Sequence, residues 1–124
     1  MAGEWTKIPM KRTTFQVLKE GPGEGFPVQK NFVVTLHAKA WLKAGGRKFW
    51  DTRKDGHIFE FKAMNDQVIK GFDNGVEGMK AGDIRKLHIP SIAGYGHKGY
   101  EPWGVPANAD LVFEVEIVYV RRGL

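Results

Sequence analysis

The stretch DQVIKGFDNGVEGM, residues 66–79, decides the fold because it is the only segment of the chain with the pattern of a helix. Asp66 is a suitable cap for a helical turn that begins here. Glycines at positions 71, 75 and 78 limit the helix to two or three turns. The apolar residues recur at spacings of one, three or four and predict a stripe that lies on one face of a sheet. They are Val68, Ile69, Phe72, Val76 and Met79.

The rest of the patterned sequence predicts strands. Apolar and polar residues alternate in a short run around Phe15 and Val17 and in residues 31–42, 57–63, 83–90 and 110–120. The last strand is the clearest, with a predicted inward face of Leu111, Phe113, Val115, Ile117 and Tyr119. Its other face is polar, which is typical of an antiparallel sheet with one exposed side. We therefore predict an α+β fold, a strongly bent antiparallel β-sheet wrapped around one short α-helix.

Length and composition indicate one globular domain. The chain has 124 residues, of which 42% are hydrophobic and 27% charged. Its 16 glycines and six prolines favour short strands joined by frequent turns. Residues 1–13 carry little pattern and predict a flexible N-terminal arm, so that the domain proper spans residues 14–124.

Charge and hydropathy limit the location and the partners. The first thirty residues contain charged side chains and no continuous apolar run, which predicts neither a secretory signal nor a membrane span. With no cysteine in the chain, we expect a cytoplasmic protein. The formal charge of +5 would permit loose contact with nucleic acid. The basic residues are scattered among acidic ones, however, so we expect a solvated surface and no nucleic-acid partner.

The usual catalytic arrangements are almost absent. None of the four histidines has a partner three or four residues away, so no helical metal pair is predicted. Ser91 is the only serine, and no nucleophile motif surrounds it. The run GYGHKG, residues 94–99, matches a dinucleotide-binding fingerprint, but Pro102 and Pro106 follow too soon for the helix that this motif requires. We predict no metal and no cofactor.

Aromatic residues are the remaining signal. They are concentrated in the middle and at the end of the chain, and they exceed what one short helix and one sheet face need. Several fall in predicted loops, which favours an aromatic-walled cleft. The set consists of Phe49, Trp50, Phe59, Phe61, Phe72, Tyr95, Tyr100, Trp103 and Phe113.

Four runs together resemble the FKBP family of peptidyl-prolyl cis-trans isomerases, the macrolide-binding immunophilins, over residues 14–120. They are VIKGFDNGVEGMKAG, RKLHIP, AGYGHKGY and VPANADLVFEVEI. The resemblance implies the same sheet-on-helix fold and an isomerase that acts in protein folding on proline-containing polypeptides without a cofactor. It also implies binding of macrolides of the tacrolimus or rapamycin type, a possible protein partner recruited through the macrolide, and a monomer.

The resemblance also implies the site residues. The catalytic pocket would consist of Phe49, Phe59, Phe72, Tyr95 and Phe113, with the Tyr95 hydroxyl bonding to a ligand carbonyl. Substrate and macrolide binding would add Trp50, Asp51, Gln67, Val68, Ile69 and Val105. Val68 and Ile69 would meet the ligand through their backbone, Gln67 would accept a hydrogen bond through its backbone, and Val105 would lie over the proline ring.

Two departures from the family pattern leave alternatives open. Ala38 stands where the family often has a pocket tyrosine, which would remove a wall and a hydroxyl. After Phe49 the family often has an aspartate, whereas this chain has Trp50 and then Asp51. Either Trp50 takes the place of the acid, or the alignment shifts by one residue and Asp51 takes that place, paired with Arg53. We favour Trp50, because that alignment needs no insertion. The alternative function is a low-turnover peptide-binding or chaperone module with the same fold.

Overall fold

The computed structural model describes residues 4–123 and consists mainly of one antiparallel sheet. Its strands are β1 (Trp5–Lys7), β2 (Thr14–Lys19), β3 (Val33–Leu42), β4 (Lys48–Asp51), β5 (Phe59–Lys62), β6 (Ile84–Ile89) and β7 (Leu111–Arg121). Their order across the sheet is β1-β2-β6-β7-β3-β4, and β5 pairs with the first half of β3. The long central strands β3 and β7 pair along their whole length, from Val33 opposite Arg121 to Leu42 opposite Leu111.

The helices are short and lie between strands. They are α1 (Thr52–Asp55) and α2 (Lys70–Val76), and three single 3-10 turns follow β6 at Ser91–Ala93, Gly96–Lys98 and Glu101–Trp103. Helix α2 is buried against the sheet and contributes Phe72 and Val76 to the core. The predicted α+β fold, a bent antiparallel sheet around one main helix, is confirmed. Helix α1 was not predicted, because four residues are too few for a helical period.

Helix α2 begins three residues later than predicted. Its N-cap residue is Ile69, in an extended conformation, and not Asp66. Asp66 has a φ of 57°, which lies in the left-handed region, whereas an N-cap residue adopts an extended backbone. The Asp66 carboxylate instead forms an ion pair with Lys70 at 2.7 Å. Residues 66–69 therefore precede the helix as an irregular segment that ends in the extended Ile69.

Two glycines let α2 approach strand β6 closely. A Cβ atom added at Gly75 would lie 2.6 Å from Cδ1 of Leu87, and one added at Gly71 would overlap the side chain of Ile89. Any larger residue would push the helix away from the sheet. At the end of α2, Arg85 donates hydrogen bonds to the carbonyls of Gly75 and Glu77, at 2.9 and 3.0 Å. These bonds satisfy carbonyls that a helix C-terminus leaves unpaired.

Strand β7 departs from the predicted alternation near its end. The face of Leu111, Phe113, Val115 and Ile117 is buried as predicted, but Tyr119 is 57% exposed and Val120 is buried instead. The pairing register shifts here: Thr35 lies opposite Tyr119, but the next residue, Leu36, lies opposite Ile117. One extra residue in a strand turns every later side chain to the other face. The prediction that Tyr119 faces inward was therefore wrong.

The N-terminal segment is partly paired with the sheet. Strand β1 pairs with β2, with Trp5 opposite Gln16 and Lys7 opposite Thr14, and Thr13 is fully buried. The structure thus differs at residues 5–7 from the predicted flexible arm 1–13, whose first three residues lie outside the described part of the chain. All three side chains of β1 are exposed, so no apolar alternation marks this strand in the sequence.

Candidate active site

An apolar cavity of about 410 Å³ opens between α2, the strands β4, β5 and β7, and the loop that follows β6. A cavity of this size fits a small ligand or a few residues of a peptide. Its lining consists of Trp50, Phe59, Asp66, Gln67, Val68, Ile69, Phe72, Tyr95, Tyr100, Trp103 and Phe113. Eight of the predicted site residues are among them, and Asp66, Tyr100 and Trp103 are additional.

The inner wall of the cavity consists of Trp50, Phe59, Phe72 and Phe113, which come from regular elements. Phe72 projects from α2 and its ring centroid lies 5.3 Å from that of Phe113 and 6.4 Å from that of Phe59. Trp50 completes the wall, perpendicular to Phe59 at 5.1 Å. Edge-to-face pairs of this kind are favourable for aromatic rings. The inner wall therefore belongs to the hydrophobic core as much as to the cavity.

The outer wall consists of Tyr95, Tyr100 and Trp103, which come from the loop after β6. Tyr95 and Tyr100 are stacked at 4.9 Å, and Tyr100 meets the edge of Trp103 at 5.6 Å. Trp103 in turn stacks on Trp50 at 5.7 Å and joins the outer wall to the inner one. Tyr100 and Trp103 were noted in the sequence as aromatic but not as site residues, because no periodicity tells where a loop side chain points.

The entry to α2 provides the polar part of the lining. The side-chain oxygen of Gln67 accepts a hydrogen bond from the backbone N–H of Lys62 at 2.8 Å, which fixes the segment against β5. Within residues 4–123 neither the Gln67 carbonyl nor the Ile69 N–H forms a hydrogen bond. An acceptor and a donor of the backbone thus remain available at the edge of the cavity.

Phe49 and Val105, both predicted in the pocket, lie outside its lining. Phe49 packs behind the wall, with its ring 6.2 Å from Phe113 and 5.9 Å from Trp103. The register of β4 shifts at this point, since Ala40 pairs with Trp50 and Trp41 with Lys48, and Phe49 is left without a partner. Val105 is buried beneath the loop, where it exchanges backbone hydrogen bonds with Tyr100 at 2.8 and 3.0 Å.

Asp51 also lies away from the cavity. It is the N-cap of α1 and accepts hydrogen bonds from the Lys54 N–H at 3.2 Å and from the Lys48 ammonium at 2.7 Å. These bonds, the one from Lys48 first, lower the pKa of its carboxyl. Arg53 binds Glu116 instead of Asp51. Trp50 thus lines the cavity and Asp51 does not. Which of the two takes the place of the acid in the family pattern stays a prediction.

Comparison with known proteins places the chain in a family. The family model of the FKBP-type peptidyl-prolyl cis-trans isomerase matches residues 25–118. The chain belongs to this isomerase family. It is 45% identical over 102 residues to "FK506-binding protein 1" of Dictyostelium discoideum, with 82% of this chain and 92% of that protein covered. It is 37% identical over 103 residues to "Peptidyl-prolyl cis-trans isomerase FKBP12" of Arabidopsis thaliana, with 81% and 92% covered.

Solved structures agree with this assignment. The N-terminal domain of FKBP42 from Arabidopsis thaliana superposes with a TM-score of 0.85 at 29% identity, and the match covers 95% of this chain and 92% of that one. The predictions of an FKBP-like fold and of an enzyme of the isomerase class are confirmed.

No helix in residues 4–123 is both long enough and apolar enough to span a membrane.

Ala38, the first departure from the FKBP pattern, does not border the main cavity. Its backbone N–H donates to the Thr52 hydroxyl at 3.0 Å, and the ring of His37 lies 2.9 Å from the same oxygen. Both residues border a small separate pocket next to Asp51. In this FKBP domain the side chain of Ala38 therefore forms no part of the lining of the aromatic cavity.

The lining of the cavity is mainly apolar and contains one ionisable carboxyl, that of Asp66. Burial raises the pKa of Tyr95, so its phenol stays protonated as a hydrogen-bond donor, and this hydroxyl has no hydrogen-bond partner among residues 4–123. The one acidic side chain in the lining, Asp66, is paired with Lys70. No group of three metal-ligating side chains is found among the described residues. The site can bind apolar groups and orient a carbonyl, and its one acidic side chain is engaged by Lys70.

Proposed function

We propose that this FKBP domain accelerates rotation about X-Pro peptide bonds in polypeptides by binding the proline in the aromatic cavity. The observation that carries the proposal is the continuous aromatic wall of the cavity. Amide resonance sets a barrier of about 18–20 kcal/mol to this rotation. The two X-Pro isomers differ by only about 0.5–1 kcal/mol, so a catalyst has to lower the barrier and need not break a bond.

Preferential binding of the twisted amide would accelerate the rotation about the X-Pro bond. During rotation the amide loses resonance, and less charge is separated between its oxygen and nitrogen. The twisted amide therefore depends less on hydration than the planar one does. A cavity lined by Phe59, Phe72 and Phe113 excludes water and favours the twisted form, which is differential binding of the transition state. The Tyr95 hydroxyl would hold a substrate carbonyl by a hydrogen bond.

The segment before α2, residues 66–69, would hold the peptide backbone. The free carbonyl of Gln67 can accept from a peptide N–H, and the free N–H of Ile69 can donate to a peptide carbonyl. Both groups belong to the backbone, so they can bond to the backbone of a substrate and fix its direction, whatever side chains the substrate carries. This suits an enzyme that acts on many proline-containing polypeptides.

Macrolides of the tacrolimus or rapamycin type would occupy the same cavity. The Dictyostelium relative is named as a protein that binds FK506. Here the cavity offers the apolar walls and the Tyr95 donor that a rigid apolar ligand with carbonyl groups needs. The bound macrolide would extend beyond the mouth and could contact a second protein. The cytoplasmic location and the monomeric state remain predictions.

The test is isomer exchange measured by NMR on short X-Pro peptides, with and without the macrolide. We expect exchange well above the uncatalysed rate and its loss when the macrolide saturates the protein. A folded protein with no effect on exchange would exclude the enzyme. Macrolide binding without exchange would favour the alternative, a low-turnover peptide-binding module, and peptide capture unaffected by the macrolide would place the peptide elsewhere.

A further inference from the structure

Arg47 lies outside the cavity but is tied to the part of the outer wall that carries Trp103. Its guanidinium Nη2 donates to the Gly104 carbonyl at 2.6 Å and approaches the Trp103 carbonyl at 3.5 Å. Arg47 itself is fixed by the hairpin between β3 and β4, where its carbonyl accepts from the Leu42 N–H at 2.9 Å. The contact thus joins the 3-10 turn Glu101–Trp103 to the rigid edge of the sheet.

The contact with Arg47 requires a glycine at position 104. Its φ of 67° lies in the left-handed region, and its N–H closes the turn on the Glu101 carbonyl at 2.9 Å. A Cβ atom at this position would lie 2.9 Å from the Arg47 guanidinium nitrogen. A side chain at 104 would therefore both strain the turn and force the arginine away.

Apart from the contact with Arg47, Trp103 is held by one backbone hydrogen bond, from its N–H to the Tyr100 carbonyl at 3.2 Å, and by contacts of its ring. The Trp103 ring is 37% exposed and is held by its stack on Trp50 and its edge contacts with Tyr100 and Phe49. The backbone pairing of Tyr100 with Val105 closes the turn but leaves Trp103 at its tip. A rotation of the tip would open the mouth of the cavity on this side.

We propose that Arg47 is a positioning residue that keeps Trp103 stacked on Trp50 and so sets the width of the cavity mouth for the polypeptide that flanks the proline. The role in catalysis rests on the isomerase function proposed above. Because the stacked pair is in place before the substrate arrives, it contributes to binding of the ground state and of the transition state alike. Loss of the tie then raises KM and leaves kcat nearly unchanged.

The experiment compares Arg47→Ala, Arg47→Lys, Trp103→Ala and the double variant Arg47→Ala/Trp103→Ala with the wild type. We expect Arg47→Ala to raise KM about threefold to tenfold, as for the loss of one hydrogen bond, with kcat within about twofold. It should also weaken the coupled circular-dichroism signal of the two stacked indoles, which Trp103→Ala abolishes. Arg47→Lys keeps one donor and should recover part of both properties. The matched control is Arg121→Ala, because Arg121 is an exposed arginine that lies near Glu60.

The double variant tests whether Arg47 acts through Trp103. If it does, Arg47→Ala should add less than about twofold in KM to the effect of Trp103→Ala, because coupled residues are not additive. Additive effects, or an unchanged indole signal in Arg47→Ala, would overturn the proposal. A wild type without isomerase activity would refute the proposed function alone, since the indole signal still decides whether Arg47 positions Trp103.

Discussion

The inner and outer walls of the cavity differ in how they are held. The inner-wall rings project from α2 and from strands, and Phe72 and Phe113 are 2% and 3% exposed. The outer-wall rings project from a loop of 3-10 turns, and Tyr100 and Trp103 are 38% and 37% exposed. The inner wall thus stabilises the fold and lines the site at the same time. The outer wall can change its side chains at little cost to the fold, so it is the part that can adapt the site to a ligand.

The largest effect should come from Phe72→Ala. The Phe72 ring contacts four other aromatic rings, including Phe61 at 5.5 Å. We expect a loss of about 3–5 kcal/mol in the free energy of unfolding, measured by urea titration, because the cavity left in the core cannot be refilled. Trp103→Ala on the outer wall should lose less than half as much. Equal losses of unfolding free energy in the two variants would mean that both walls contribute equally to the stability of the fold.

A second pair of substitutions compares neighbouring residues of β4. Trp50→Ala should weaken macrolide binding about tenfold to a hundredfold, or about 1.4–2.8 kcal/mol, because Trp50 joins the two walls. Asp51→Ala should leave that affinity within about twofold and lower only the stability, since Asp51 caps α1. Calorimetric titration of both variants measures the affinities. A large loss of affinity in Asp51→Ala alone would return the aspartate to the site.

The same division explains what could be predicted from sequence. Strand alternation and the apolar stripe of α2 gave the fold, and they placed Phe59, Phe72 and Phe113 because buried faces follow a period. The family resemblance assigned these three residues to the site and added Gln67 and Tyr95, which no period marks. Three of the missed features are shifts or loops: the bulge before Tyr119, the shift that leaves Phe49 behind the wall, and the turn that brings in Trp103. A single inserted residue or a loop torsion decides each of these, and neither changes the hydropathy pattern.

A smaller effect should follow from Tyr95→Phe on the outer wall. It removes a hydroxyl that has no hydrogen-bond partner among residues 4–123, so the stability should be unchanged within about 0.5 kcal/mol. Macrolide binding should weaken by about 0.5–1.5 kcal/mol, the contribution of one neutral hydrogen bond. Tyr119→Phe is the matched control, since Tyr119 is 57% exposed and lies outside the cavity lining. Identical affinities for Tyr95→Phe and the wild type would show that the hydroxyl does not touch the ligand.

The smallest effect concerns a buried carboxyl next to the inner wall. Asp73 follows Phe72 on α2, is 3% exposed, and accepts a hydrogen bond from the Met64 N–H at 2.9 Å. Burial raises its pKa, while the Met64 hydrogen bond and Lys70 act in the opposite direction.

Because the folded state holds the Asp73 proton more tightly than the unfolded state does, this residue lowers the free energy of unfolding as the pH rises from about 4 through its folded pKa. Asp73→Asn keeps an oxygen that accepts from Met64 and has no charge to bury. We expect the variant to match the wild type at low pH and to exceed it progressively above pH 4 or so, with the difference constant at neutral pH. Urea titrations of both proteins across this range measure that difference, in which the other carboxyls cancel. A difference that falls with rising pH would mean that the ionised carboxylate is stabilised at this position and that the inner wall tolerates a neighbouring charge.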